Sequence, residues 1–152
     1  MEARFNYGAV EPDSVQVMLK LEGYVRNSGL DSKLLELIKI RASQINGCAF
    51  CLDMHTKDAR ANGESEERIY TLNAWRESPF YTEAERVALE LTEAVTLIAT
   101  GSVSDDLYAR VREYFSEQQY VRLIMAINVI NNWNRLSIAT KTPAGTYHPE
   151  AK

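Results

Sequence analysis

Apolar residues recur along this chain at spacings of three and four, the period of α-helices that bury one side. Val17, Leu21, Tyr24 and Val25 make the first such stripe; Asp13 or Ser14 can cap its helix, which runs to about residue 28 and ends at Gly29. Residues 1–12, polar and broken by Gly8 and Pro12, read as an extended arm. Asp31-Ser32 opens a second helix with Leu34, Leu35, Ile38, Ala42 and Ile45 inward, and Asn46-Gly47 is its stop signal. A third helix starts at Cys48 and ends at Asn62-Gly63, with Lys57 and Arg60 near the end that favours cations. Ser65 leads a short fourth carrying Ile69, Leu72 and Trp75, ended by Ser78-Pro79. Thr82 and Glu85 fit a capping box for a fifth, which turns Val87, Ala88, Leu91, Val95 and Ile98 inward and closes at Gly101. Ser104 caps a sixth with Leu107, Val111 and Phe115, and the last runs from Ser116-Glu117 to about Thr140.

That last helix is apolar nearly all round, from Val121 through Leu123, Ile127, Ile130 and Trp133 to Ile138, as in a helix buried on several sides. Asn128, Asn131, Asn132 and Asn134 interrupt it, and amides so placed need partners on other helices or on a neighbouring subunit. The first option makes it the central helix of a monomer, the second an oligomer contact that also engages Phe5 and Tyr7. Trp75 and Trp133 read as core or interface anchors. No stretch alternates as a strand does. The pattern predicts an all-α fold of six or seven helices, one domain over 1–152 with its core at about 13–141, an arm at 1–12 and a tail at 142–152.

Composition narrows the classes of function. The 152 residues carry 45% hydrophobic and 25% charged side chains, ordinary for a globular domain. A net charge of −4, from 17 basic and 21 acidic side chains with no basic cluster, argues against a nucleic-acid partner. The first residues form no apolar signal segment, and the longest uncharged run, Leu123 to Asn134, is too short for a membrane span. The expectation is a cytoplasmic protein with no membrane partner, a setting in which a close cysteine pair is redox-active or metal-binding rather than a structural staple.

Both cysteines and one of the two histidines fall within residues 36–55. Cys48, Cys51 and His55 follow one another at three and four residues, so a helix places all three on one face. The Asn46-Gly47 stop puts Cys48 in the first turn, where the helix dipole favours a thiolate. A second thiol within reach allows disulfide formation, and His55 is placed to exchange a proton with Cys51 or with a leaving oxygen. Cys-Ala-Phe-Cys-Leu is small and apolar, which predicts burial. Two helices joined by a short turn lie antiparallel, so Glu36 becomes a candidate to orient His55. Two other readings stay open: a zinc-like site with Glu36 as fourth ligand, cramped because three ligands share one helix face, and a pair of cysteines serving as inert core. His148 reads as an exposed tail residue.

Glutamate, eleven residues, then Cys-x-x-Cys-x-x-x-His is a specific pattern, and with Glu36, Cys48, Cys51 and His55 this chain resembles the alkylhydroperoxidase AhpD-like family of the carboxymuconolactone decarboxylase-like superfamily. The similarity runs from about Leu34 through Gly63. The resemblance implies an all-helical subunit, with the cysteine pair at the start of a central helix, that assembles into trimers or hexamers. It implies a peroxidase that reduces alkyl hydroperoxides in antioxidant defence, with a Glu36/His55 proton relay, no bound metal or cofactor, and an external thiol or dithiol as electron donor. Cys51 takes the attacking role in that family and Cys48 the resolving one, whereas the dipole argument favours acidifying Cys48. Phe50 stands where the best-known members have a histidine, which removes one proton carrier. The decarboxylase branch generally lacks the cysteine pair, so its presence argues against lactone decarboxylation. The alternatives are a thiol–disulfide oxidoreductase or redox sensor without peroxide turnover, and a non-enzymatic metal-binding helical module.

Overall fold

Eight α-helices, and no strand among the described residues, build the chain: α1 (Tyr7–Val10), α2 (Pro12–Arg26), α3 (Ser32–Asn46), α4 (Ala49–Ala61), α5 (Glu66–Tyr70), α6 (Glu83–Thr96), α7 (Asp105–Tyr114) and α8 (Glu117–Thr140), with a 3-10 turn at Leu72–Ala74. The structure, a computed structural model, describes residues 2–149, so Met1 of the expected arm and 150–152 of the expected tail lie outside the described residues. The all-α expectation holds. The one added helix, α1, lies inside the arm that sequence treats as extended, and the arm is also tied down, since the Arg4 amide donates to the Thr140 carbonyl at 2.9 Å.

α3 is the axis of the fold because it is apolar on two sides. Leu34, Leu35 and Ile38 enter one core with Val25, Leu91, Val111 and Ile127. Leu37 and Ile40 enter a second, with Leu72, Trp75 and Leu89. A one-sided stripe anticipates only the first set. α8 is buried as its composition implies along Leu123, Ala126, Ile127, Val129 and Ile130, while Val121 and Ile138 at its ends are exposed. Two of its asparagines close a network within the chain. The Asn46 amide on α3 donates to Asn131 Oδ1 at 3.0 Å and Asn134 Oδ1 at 2.8 Å, Asn131 donates to Thr96 Oγ1 on α6, and Asn134 to Ser43 Oγ on α3. Asn128 and Asn132 face solvent.

Three expectations need correction. α2 begins at Pro12, not at a capping Asp13 or Ser14; a proline suits the first helical position because its missing N–H would have no partner there. The stripe that packs on the core is Met18, Leu21 and Val25, set by the side that α8 covers, and Val17 and Tyr24 are exposed. α6 stops at Thr96, so Ile98 is exposed and Gly101 lies beyond the helix rather than closing it.

The turn between α3 and α4 sets the site. Gly47 sits at φ +70°, a left-handed conformation that costs glycine least, and Cys48 leaves the turn extended at φ −85° and ψ 96°. The chain therefore reverses within two residues. Glu36 then lies roughly 16 Å back along α3 from Gly47 and His55 roughly 12 Å forward along α4, at 1.5 Å per residue, so two long side chains can meet across the gap.

Candidate active site

Cys48 and Cys51 are disulfide-bonded, with Cα atoms 5.4 Å apart. Cys48 is not in the first turn of α4 but caps it: its sulfur accepts a hydrogen bond from the Cys51 N–H at 3.4 Å. Both residues are buried, as the apolar sequence around them predicts, against Ala42 of α3 and Ile130 of α8, with Phe50 and Trp133 packed alongside. The amide at the helix start therefore points at Cys48 sulfur, which gives the dipole argument a definite atom.

Glu36 and His55 meet. Glu36 Oε2 lies 2.9 Å from His55 Nδ1, and both side chains are buried. An ionised carboxylate only accepts, so Nδ1 carries the hydrogen and Nε2 is left free to exchange a proton on the other side of the ring. Two residues not foreseen extend the pair. Lys39 Nζ is 3.3 Å from Glu36 Oε1 and 2.6 Å from Glu22 Oε1, which links α2, α3 and α4 through a chain from half-buried Glu22 to buried Lys39, Glu36 and His55. Burial alone would push the Glu36 carboxyl up, but the His55 hydrogen bond and the charges of His55 and Lys39 outweigh it and hold the carboxyl below its ordinary value. For Lys39 burial pulls down, and the charges of Glu36 and Glu22 win, holding its ammonium above the ordinary value. The signal for Lys39 was present, since a lysine three residues after Glu36 shares its helix face. Nothing in the sequence pairs Glu22 with it.

A cavity of about 280 Å³ opens onto this chemistry. Cys51, His55, Glu36 and Lys39 line it together with Ser137 and the large side chains Tyr7, Phe50, Met54, Trp133 and Tyr147. Cys48 is absent from its lining. Both ends of the chain help to wall it. Tyr7 packs against Trp133 with ring centres 6.4 Å apart. The tail folds back on α4: Gly145 N–H donates to Asp53 Oδ2 at 3.0 Å, Lys57 Nζ to the Tyr147 carbonyl at 2.9 Å, and Tyr147 OH to Asp58 Oδ1 at 2.7 Å. His148 is exposed, as sequence suggests, while its neighbour Tyr147 reaches the site. A tail rich in turn residues carries no signal of that docking.

Glu36, His55 and Asp58 offer ligand atoms within 4.8 Å of one another, the grouping that comes nearest to a cation site among the described residues. It differs from the zinc-like set weighed from sequence, because the two cysteines are bonded to each other and do not belong to it. Its carboxylates already have partners, Glu36 in Lys39 and His55 and Asp58 in Tyr147.

Fold and site together define an all-helical protein with a disulfide-forming cysteine pair backed by a carboxylate–imidazole contact. Residues 12–94 match the carboxymuconolactone decarboxylase family, and the chain belongs to that family. The uncharacterized protein YdfG of Bacillus subtilis is 52% identical over 139 residues, covering 91% of this chain and 95% of YdfG. The crystal structure of a protein of unknown function from Agrobacterium tumefaciens, proposed to be an antioxidant defence protein AhpD, superposes with a TM-score of 0.93 at 42% identity, over 96% of this chain and 100% of that one. Alkyl hydroperoxide reductase AhpD of Bradyrhizobium diazoefficiens is 40% identical over a shorter stretch of 47 residues, 31% of this chain and 26% of that protein. No helix among the described residues is long and apolar enough to cross a membrane.

Proposed function

We propose that this chain is a thiol-dependent peroxidase that reduces organic hydroperoxides in antioxidant defence, with Cys51 attacking and Cys48 resolving. The observation that carries the reading is the cavity: Cys51 and His55 line it and Cys48 does not, so a small substrate reaches one thiol of the pair. In the reduced protein His55 Nε2 takes the proton of the Cys51 thiol, and the thiolate so formed attacks the terminal oxygen of the hydroperoxide as the O–O bond breaks. The leaving alkoxide takes a proton from His55, whose ring Glu36 orients through Nδ1. The Cys48 thiol then attacks the Cys51 sulfenic acid, water leaves, and the observed disulfide forms. An external dithiol returns two electrons and two protons. This chemistry needs no metal or organic cofactor, and a reducing cytoplasm supplies the donor.

The test is hydroperoxide consumption by the purified chain with dithiothreitol at neutral pH. Wild type is expected to turn over, and His55→Gln to lose roughly 10²- to 10⁴-fold in rate, the usual worth of a positioned acid–base group. Disulfide exchange with dithiothreitol but no hydroperoxide consumption would sink the reading and leave a thiol–disulfide oxidoreductase or redox sensor.

Association into trimers or hexamers belongs to the same reading. Phe5, Val10, Val17, Leu19 and Tyr24 support it, being large apolar side chains exposed along the arm and α2. Light scattering on the purified chain should give a mass of three or six subunits; a monomer at micromolar concentration would refute it.

A further inference from the structure

α8 brings one more polar group to the cavity at Cys51. From Ile130, which packs against the cysteines, one face of the helix continues through Trp133 and Asn134 to Ser137, two turns on. Asn134 on that face is satisfied, donating to Ser43 and accepting from Asn46. Ser137 is not. Its residue is 3% exposed, it lines the same cavity as Cys51 and His55, and its hydroxyl has no hydrogen-bond partner among the described residues. A helical serine or threonine ordinarily satisfies itself on the carbonyl one turn back, as Thr140 does on Leu136 at 2.8 Å. Ser137 forgoes that bond on a wall of the cavity. A buried hydroxyl without a partner destabilises the fold, and such groups in native proteins call for a functional explanation.

We propose that Ser137 binds the substrate: its hydroxyl hydrogen-bonds the terminal oxygen of the bound hydroperoxide, the atom that Cys51 attacks. This assignment rests on the peroxidase reading above. The terminal oxygen carries one hydrogen and lone pairs, and a serine hydroxyl both donates and accepts, so the two are complementary. As the S–O bond forms and the O–O bond breaks, this oxygen stays on sulfur with its hydrogen as the Cys51 sulfenic acid. The other oxygen leaves and takes its proton from His55. Ser137 and His55 thus serve different oxygens of one substrate, and Ser137 gives up no proton in the reaction. Its role ends with the oxidative half of the cycle, because reduction of the disulfide by a dithiol involves no peroxide oxygen.

The two half-reactions separate this role from a structural one. Full-length wild type, Ser137→Ala and Ser137→Thr are reduced, mixed with cumene hydroperoxide, and followed by loss of free thiol. The oxidised forms are mixed with dithiothreitol, and melting temperatures are recorded. Ser137→Ala is expected to slow oxidation about tenfold, the worth of one hydrogen bond, with dithiothreitol reduction unchanged and melting no lower than wild type. Ser137→Thr keeps the hydroxyl and should recover most of the oxidation rate. Wild-type oxidation in Ser137→Ala overturns the assignment and leaves the peroxidase reading standing. Equal slowing of both half-reactions also overturns it, in favour of a structural role. A wild type that cumene hydroperoxide does not oxidise removes the peroxidase reading and the assignment with it.

Discussion

Replacing Cys51 with serine should lower the reaction with hydroperoxide by at least about a thousandfold, as loss of a nucleophile does, while Cys48→Ser should spare the first turnover and block the second. The asymmetry follows from what each sulfur touches. Cys51 shares its cavity with His55, so its thiolate meets a substrate and a proton donor together. Cys48 lies outside that lining and caps α4, where it accepts from the Cys51 amide. Serine is among the best N-cap residues, so Cys48→Ser keeps the helix start, and its failure to recycle can be assigned to the missing thiol. The measurement is intact mass after one equivalent of hydroperoxide, with a 1,3-diketone to trap sulfenic acid. Cys48→Ser should trap the label at Cys51, and Cys51→Ser should trap none. A label on Cys48 in the Cys51→Ser protein, with thiol loss at the wild-type rate, would reverse the roles. The amide at Cys48 sulfur would then be the feature that governs reactivity, as a dipole argument alone suggests.

The residues that sequence identified at the site are those whose spacing is local. The reversal at Asn46-Gly47 and the three- and four-residue steps from Cys48 to His55 made α3 and α4 antiparallel partners on paper and a Glu36–His55 contact, present at 2.9 Å, plausible, while the choice of Glu36 rested more on the family pattern than on spacing. Burial of the pair was legible in Cys-Ala-Phe-Cys-Leu for the same reason. What escaped depends on elements far apart in the chain. Glu22 reaches Lys39 from α2, where the buried stripe itself differs from the one predicted. Ser137 and Tyr147 reach the cavity from α8 and a tail with no periodicity to read. α3 shows the same limit in packing, since Leu37 and Ile40 lie off the stripe that one-sided burial predicts and prove fully buried because a second core closes on them. Local patterns report helix faces. They do not report which faces are covered twice.

Lys39→Met should be the most destabilising single change at the site, by about 3–5 kcal/mol, because it leaves two carboxylates facing a position that has lost its cation. Lys39 is 4% exposed and sits between Glu22 and Glu36, whose side chains are themselves largely withdrawn from solvent. For a chain of this length the loss corresponds to a fall in melting temperature of about 10 °C. Methionine fills much the same volume, and Glu22→Gln combined with Lys39→Met should recover a good part of the loss by removing one of the stranded charges. A deficit of less than about 1 kcal/mol would mean the triad behaves as a solvated surface pair and would remove the argument. pH supplies an independent check. Glu36 has a lowered folded value, so its contribution in wild type is full above its ordinary value of 4.5 and is lost as pH falls through the lowered one. Lys39 has a raised value, so its contribution is full below 10.5 and is lost as pH rises through the raised one. In Lys39→Met the alkaline loss disappears with the amine, and the Glu36 carboxyl moves up because one of the charges opposing its burial is gone. Protonating it then costs the fold less than in wild type, so the stability gap between the two proteins should narrow as pH drops below 4.5. A gap that stays constant in acid would show that Lys39 stabilises α3 by packing its stem, and that the charge on its nitrogen contributes nothing.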